Sequence, residues 1–256
     1  MTIIKRILPV VGLSMLSLQL ANAQETMQEE PTTPEATEQW KPVPLNVEPY
    51  AKNGAPSDAI ILYDGTNFDA WQSTVDGGDV QWTIDSDGAA TVKDKTGDIQ
   101  TKRNFGSVQL HLEWRSNPDN TKDGQNRSNS GVFLQDKYEV QILDNNNNPT
   151  YVNGLVGSIY KQSPPLVKAT VPTGEWNIYD IIFHAPEFND EGVKTKSATI
   201  TVLLNGVLVQ DHYIIKGSTE YIGWPKNTPH GKGPIKLQDH QDESGVKFRN
   251  VWVREL

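Results

Sequence analysis

The chain has no cysteine, so it can carry neither a disulfide staple nor a thiol-linked lipid anchor. Basic residues are also short: 23 Lys and Arg stand against 32 Asp and Glu, a formal charge of -9. Nucleic acid and anionic membrane surfaces repel such a chain and are not expected partners. No segment shows a sustained helical period, which argues against a βαβ fold. A Gly-x-Gly-x-x-Gly phosphate cradle and a Gly-x-Ser-x-Gly nucleophile elbow are both missing, so nucleotide cofactors and acyl transfer have no basis here. His184, His212 and His230 lack the His-x-x-x-His spacing of a zinc site.

What is present starts with "MTIIKRILPVVGLSMLSLQLANAQ", where Lys5 and Arg6 precede an uncharged apolar run and Ala21-Asn22-Ala23. That is the pattern of a signal peptide, residues 1–23, cut after Ala23, and its apolar run is too short for a membrane span. Export without cysteines points to a bacterial periplasm or cell surface. Losing Lys5 and Arg6 takes the charge from -9 to -11, because the leader holds no acid. Residues 24–57 carry six prolines and six glutamates but few large apolar residues, a composition that cannot offset the entropy of ordering. They read as a disordered Pro/Glu-rich linker ahead of a domain at 58–256.

That domain reads as strands. "AIILY" (59–63), "VQWTI" (80–84), "VQLHLEWR" (108–115), "GVFLQ" (131–135), "YEVQIL" (138–143), "WNIYDIIFH" (176–184), "TITVLL" (199–204), "VLVQD" (207–211) and "VKFRNVWVREL" (246–256) are rich in β-branched and aromatic residues. Asn205-Gly206 joins two of them with the two residues that best tolerate a type I′ hairpin turn. Short strands between polar turns predict an all-β fold, a two-sheet antiparallel β-sandwich. With 36% hydrophobic residues in 256, the chain can bury one ordinary core.

Each sandwich strand turns one face to the core and one away. In "YEVQIL", Tyr138, Val140 and Ile142 go one way and Glu139 and Gln141 the other. "HLEWR" sends Leu112 and Trp114 inward and His111, Glu113 and Arg115 outward, and "KLQDH" places Gln238 and His240 on one side. If these strands are neighbours, the outward set forms one dense polar patch. Plain solvated surface is the ordinary reading of such a face. Against it stand the reactive or bidentate residue types and the Gly-containing "SNSGVF" between two of the strands, which carries Asn129. The "DNNNNP" run reads as a turn, with Asp144 at the strand end as a candidate for contact with a ligand hydroxyl. Trp71, Trp82, Trp114, Trp176 and Trp252 read as core. Trp224, in the Gly/Pro loop "YIGWPKNTPHGKG", and Tyr160, in "GSIY", are better placed to stack on a ligand.

"AIILYDGTNFDAW", "EWR", "NSGVFLQ", "YEVQILDN", "GEWNIYDI", "GPIKLQDH" and "VKFRNVWVREL" follow the order and spacing of the 3-keto-disaccharide hydrolase domain family, which this chain resembles over roughly residues 58–256. The chain departs from that pattern at Gln135, in "GSIYKQ" and in "KLQDHQDES", and residues 116–128 suggest a longer rim loop. The resemblance implies a concanavalin A-like jelly roll and a carbohydrate substrate already oxidised at C3. In such a sugar the ketone acidifies the C2 hydrogen, and the glycosidic bond breaks by proton abstraction and elimination, with water added afterwards. That chemistry asks for a base, an acid and a group for the enolate oxygen. The resemblance makes Glu139 and His240 the acid and base in an order left open, Arg115 the enolate partner, and Glu113 and Gln141 orienting groups. A conventional glycoside hydrolase pairing Glu113 with Glu139, about 5–9.5 Å apart, and a lectin-like binding module are the alternatives. Gln141 stands where laminarinase-like enzymes keep an acid, which speaks against the former. No cofactor is expected. The resemblance leaves room for a structural calcium held by Asp64 and carbonyls near the chain ends, and the oligomeric state stays open.

Overall fold

The computed structural model describes residues 30–52 and 54–256. The expected signal peptide, 1–23, and residues 24–29 of the expected linker lie outside the described residues. The chain divides into two units, Met1–Leu45 and Asn46–Leu256. The described part of the first holds one 3-10 turn, Pro34–Thr37, opened by proline, whose missing N–H is no loss at that position.

The second unit is built of antiparallel strands: β1 (Ile60–Tyr63), β2 (Trp71–Ser73), β3 (Thr83–Ile84), β4 (Ala90–Thr91), β5 (Ile99–Thr101), β6 (Val108–Arg115), β7 (Ser130–Leu134), β8 (Tyr138–Ile142), β9 (Asn177–His184), β10 (Glu187–Phe188), β11 (Lys194–Lys196), β12 (Thr199–Leu204), β13 (Val207–Ile214), β14 (Lys236–Leu237) and β15 (Lys247–Glu255). One sheet of eight strands runs β13-β12-β9-β6-β15-β4-β3, with β1 also paired to β15. A second sheet of five runs β2-β5-β14-β7-β8, and β10-β11 form a separate ribbon. This is the two-sheet antiparallel sandwich of a concanavalin A-like fold.

Period-2 patterning places the core. Val108, Leu110, Leu112 and Trp114 of β6 pack in one cluster with Val132 and Leu134 of β7 and with Tyr138, Val140 and Ile142 of β8, drawn from opposite sheets. Each such fully buried aliphatic side chain contributes about 1.5–3 kcal/mol. The hairpin at Asn205-Gly206 has positive φ at both residues, 54° and 76°, and pairs Leu204 with Val207. In β15 an extra residue bulges between Arg249 and Trp252. Asn250 there takes a φ of 49°, as asparagine tolerates.

β8 is the edge of the five-stranded sheet, yet its edge is covered. Gln141 N donates to Ser158 O (3.0 Å), Gly157 N to Gln141 O (3.1 Å) and Tyr160 N to Glu139 O (3.2 Å). An exposed edge invites pairing with another chain. Here the 157–160 segment fills that role and brings Tyr160 over the outer face.

Candidate active site

Glu139 and Gln141 project from β8 on the side away from the core. They are nonetheless only 5% and 1% exposed, because the 157–160 segment and the 217–221 loop wall them in. The second loop is tied to β8 directly: Glu139 N donates to Thr219 Oγ1 (3.1 Å) and Thr219 N to Lys137 O (2.7 Å). Between these walls lies a hollow of about 340 Å³, lined by Glu139, Gln141, Asn129, Tyr160, Gln238 and His240. Phe133, Thr219 and Tyr221 complete the lining. None of these three was singled out in the sequence, where Thr219 and Tyr221 sit in an aperiodic loop.

Gly131, opposite Gln141 on β7, makes room for the carboxyl. A Cβ there would meet Glu139 Oε1 at 2.7 Å and Phe133 Cε2 at 2.9 Å. Burial pushes Glu139 up to about 8, with Asp98 adding to the rise and Lys236 opposing it. Lys236 is held by Asp136 (2.9 Å) and Asp98 (3.2 Å) and lies 4.2 Å from the Phe133 ring centre. Glu139 is therefore a neutral acid at pH 7. Its Oε1 lies 3.0 Å from the Gln141 carboxamide. With the amide nitrogen turned to that side, Gln141 Nε2 donates to both Ser130 O (3.1 Å) and Glu139 Oε1 (3.0 Å).

His240 reaches the hollow from the chain that continues β14. Its Nδ1 lies 3.0 Å from Asp242 Oδ2, an arrangement in which Nδ1 donates to the carboxylate and Nε2 is the acceptor of the neutral ring. Among the described residues Nε2 has no hydrogen-bond partner. Asp242 was within reach of sequence reading, two positions after His240 in "HQD", but it was not picked out. Gln238 Oε1 is shut away from solvent and unpaired, and a buried amide without a partner is expected to find one in a ligand or water.

Other expected site residues lie elsewhere. His111, Glu113 and Arg115 are on β6 of the eight-stranded sheet, facing away from the core. The core separates that face from the outer face of the five-stranded sheet, so the single patch expected from the alternation is two patches on opposite sides. Period-2 patterning tells which side of its own sheet a residue takes, not which sheet holds the strand. All three are committed to neighbours there. His111 Nδ1 meets Asp180 Oδ1 (2.7 Å), and Glu113 accepts from Arg249 Nε (2.6 Å) and Asn250 Nδ2 (3.0 Å). Arg115 lies over Trp176 (4.8 Å) and 3.5 Å from Asp87. A wider hollow of about 510 Å³ lies beside Glu113, but both oxygens of that carboxylate are engaged. Glu113 and Glu139 thus cannot flank one glycosidic bond, and among the described residues lining the smaller hollow Glu139 is the one carboxylate.

Asp144 also does another job. It is buried and accepts from Thr173 Oγ1 (2.8 Å) and Asn146 N (3.0 Å), with Arg127 Nε at 3.2 Å, so it braces the turn instead of facing the hollow. Trp224 is exposed and lines a neighbouring hollow that shares Tyr160. Asp64 Oδ1, for which the resemblance left room as a calcium ligand, closes its own turn onto Thr66 N (3.1 Å) and Oγ1 (2.6 Å). Among the described residues no three His, Cys, Asp or Glu side chains gather to hold a metal, and no helix is long and apolar enough to cross a membrane.

Residues 58–254 match the family described as 3-keto-alpha-glucoside-1,2-lyase-like domain. A crystal structure from Parabacteroides distasonis ATCC 8503, of a protein provisionally classed as a glycosyl hydrolase, is 50% identical, covering 88% of this chain and 97% of that one with a TM-score of 0.83. A second protein of that organism, classed in the same way, is 23% identical over 78% of this chain and 94% of its own, with a TM-score of 0.56, a likeness of fold alone. No curated protein matches the chain.

Proposed function

From the premise that this chain belongs to the family of 3-keto-alpha-glucoside-1,2-lyase-like domains, we propose that it cleaves glycosides oxidised at C3, and that the hollow beside β8 is where it does so. One observation carries the reading: a carboxyl held neutral by burial and an imidazole held with a free Nε2 line the same sugar-sized hollow, with no second carboxylate among its described lining residues. A buried carboxyl that keeps its proton and an imidazole with an open nitrogen, in one hollow, can serve as an acid and a base.

The roles then divide. His240 Nε2 removes the C2 proton, the electron pair forms the C1–C2 double bond, and the C1–O bond breaks as the Glu139 O–H protonates the leaving oxygen. Negative charge gathers on the C3 oxygen, and the Gln238 carboxamide, which lines the hollow, offers its N–H group to it. Water then adds across the double bond, its oxygen to C1 and its proton to the Glu139 carboxylate, and the proton held by His240 returns to C2. Arg115, on the opposite face, takes no part. Export through the Met1–Ala23 leader belongs to the same proposal.

Incubation of the mature protein with a 3-keto-glucoside and with its unoxidised parent, following release of the leaving group, tests this. Cleavage of the oxidised compound alone is expected. Cleavage of the parent alone would overturn the elimination, and inertness toward both would favour a binding module. Glu139→Gln keeps the shape but has no acidic proton, so kcat should fall by about 10²–10⁴ while the variant still binds the sugar.

A further inference from the structure

A second hollow of about 380 Å³ lies against the first and shares its Tyr160 wall. Tyr151, Asn153 and Lys161 line it, with Glu220 and Trp224 across from them. The aromatic surface around it is not used by the core: Trp224 is 88% exposed, the neighbouring Tyr221 73% and Tyr151 40%. Flat apolar faces with hydrogen-bonding groups at their rim are what the C–H faces and hydroxyls of a sugar ring call for. The rim here has free groups. The Asn153 carboxamide and Trp224 Nε1 make no hydrogen bond among the described residues.

The bay is also built into the site. Lys161 Nζ donates to Tyr221 O (2.6 Å) and sits 4.4 Å from the Tyr221 ring centre, which pins the loop bearing Trp224. Lys161 does so from a left-handed backbone, φ 57°, a conformation side chains disfavour. The Tyr151 and Tyr160 hydroxyls, 2.6 Å apart, join the walls of the two hollows. The same loop accepts the N–H of Glu139 through Thr219. Sheet order gives the direction. His240 follows β14, Glu139 lies two strands away on edge strand β8, and the covering segment that bears Tyr160 and Lys161 lies along that edge.

We propose that this bay is a second sugar subsite, taking the ring on the leaving side of the bond cut beside Glu139, so that the protein selects substrates of at least two rings. The side assigned rests on the proton-donor role given to Glu139 in the proposed function. A ring stacked on Trp224 would lie where the protonated oxygen departs.

The test compares kcat/KM for a 3-keto disaccharide and for methyl 3-keto-glucoside in the wild type, Trp224→Ala and Trp224→Phe. In parallel, calorimetric titration measures binding of the unoxidised disaccharide to E139Q with and without Trp224→Ala. Losing one aromatic face should lower the two-ring to one-ring ratio of kcat/KM about tenfold, with most of it retained in Trp224→Phe. A ratio that moves less than about twofold in Trp224→Ala, in a protein that cleaves both compounds, overturns the subsite and leaves the reading of Glu139 standing. If the wild type cleaves neither, that reading fails and the titration decides: disaccharide binding weakened about tenfold by Trp224→Ala supports the subsite, and unchanged binding overturns it.

Discussion

Glu139 is the residue on which the site turns, and its state follows from what surrounds it. Alternation along β8 sends it off the core face, as read from "YEVQIL", but alternation says nothing of whether that face meets water. Two loops distant in sequence close over it, and burial then keeps its proton. Gly131 is the partner that lets it fit. A methyl group at that position would lie within 2.7 Å of the carboxyl and 2.9 Å of the Phe133 ring, so Gly131→Ala forces one of them out. Such overpacking costs about 1–3 kcal/mol, seen as a lower thermal midpoint, and turnover should drop with it because the proposed proton donor is displaced. A Gly131→Ala protein with wild-type stability and rate would show that the carboxyl does not rest where the close contact puts it.

Among elements, length decided what the sequence could reveal. The nine segments read as strands overlap β1, β3, β6, β7, β8, β9, β12, β13 and β15; all of these except the two-residue β3 have four or more residues, enough to carry a period. β2, β4, β5 and the ribbon β10-β11 have two or three residues each, too few to show one. β14 is as short, yet it sets the His240 end of the site. Past it the chain turns sharply, with Gln241 at φ 58° and Glu243 at φ 60°, and this folds Asp242 back onto the imidazole. Asp242→Asn keeps the size but can present its N–H group to Nδ1, which would move the imidazole proton to Nε2 and block the base. Loss of a positioned base costs about 10²–10⁴ in rate, so kcat for the 3-keto substrate should fall at least about 100-fold with little change in KM. A D242N protein with undiminished kcat would remove His240 from the base role.

At the scale of the molecule, the sandwich has two outer faces, and the sequence could not say which strand goes to which. His111, Glu113 and Arg115 carry the same outward signature as Glu139 and Gln141, because the signature is local and sheet membership comes from long-range pairing: β6 to β9 and β15, β8 to β7. Arg115→Ala therefore probes the far face. Its ion pair and stacking are surface interactions worth about 0–1 kcal/mol, so stability should shift by no more than that and turnover should stay within about twofold; a large loss of rate would return Arg115 to the site. The buried acid of the near face has a global consequence of its own. Between about pH 4.5 and 8 the folded chain keeps the Glu139 proton that the unfolded chain releases, so the native state binds more protons and stability falls as pH rises, by up to about 1.4 kcal/mol per unit. Below that window both states are protonated, and above it both are ionised and the whole cost is in place. Other carboxylates act the opposite way at lower pH: Asp58, hydrogen-bonded to Arg254, and Asp94, bonded to the Glu243 N–H, are both held below their ordinary values. A difference between two proteins cancels them. Glutamine at 139 has nothing to ionise, so the stability gained by Glu139→Gln should be near zero at pH 4.5, grow through pH 6 and 7, and level off above pH 8 in urea unfolding curves. Parallel curves for the two proteins across that range would mean that Glu139 ionises freely in the fold, and the acid that the site is built around would not exist.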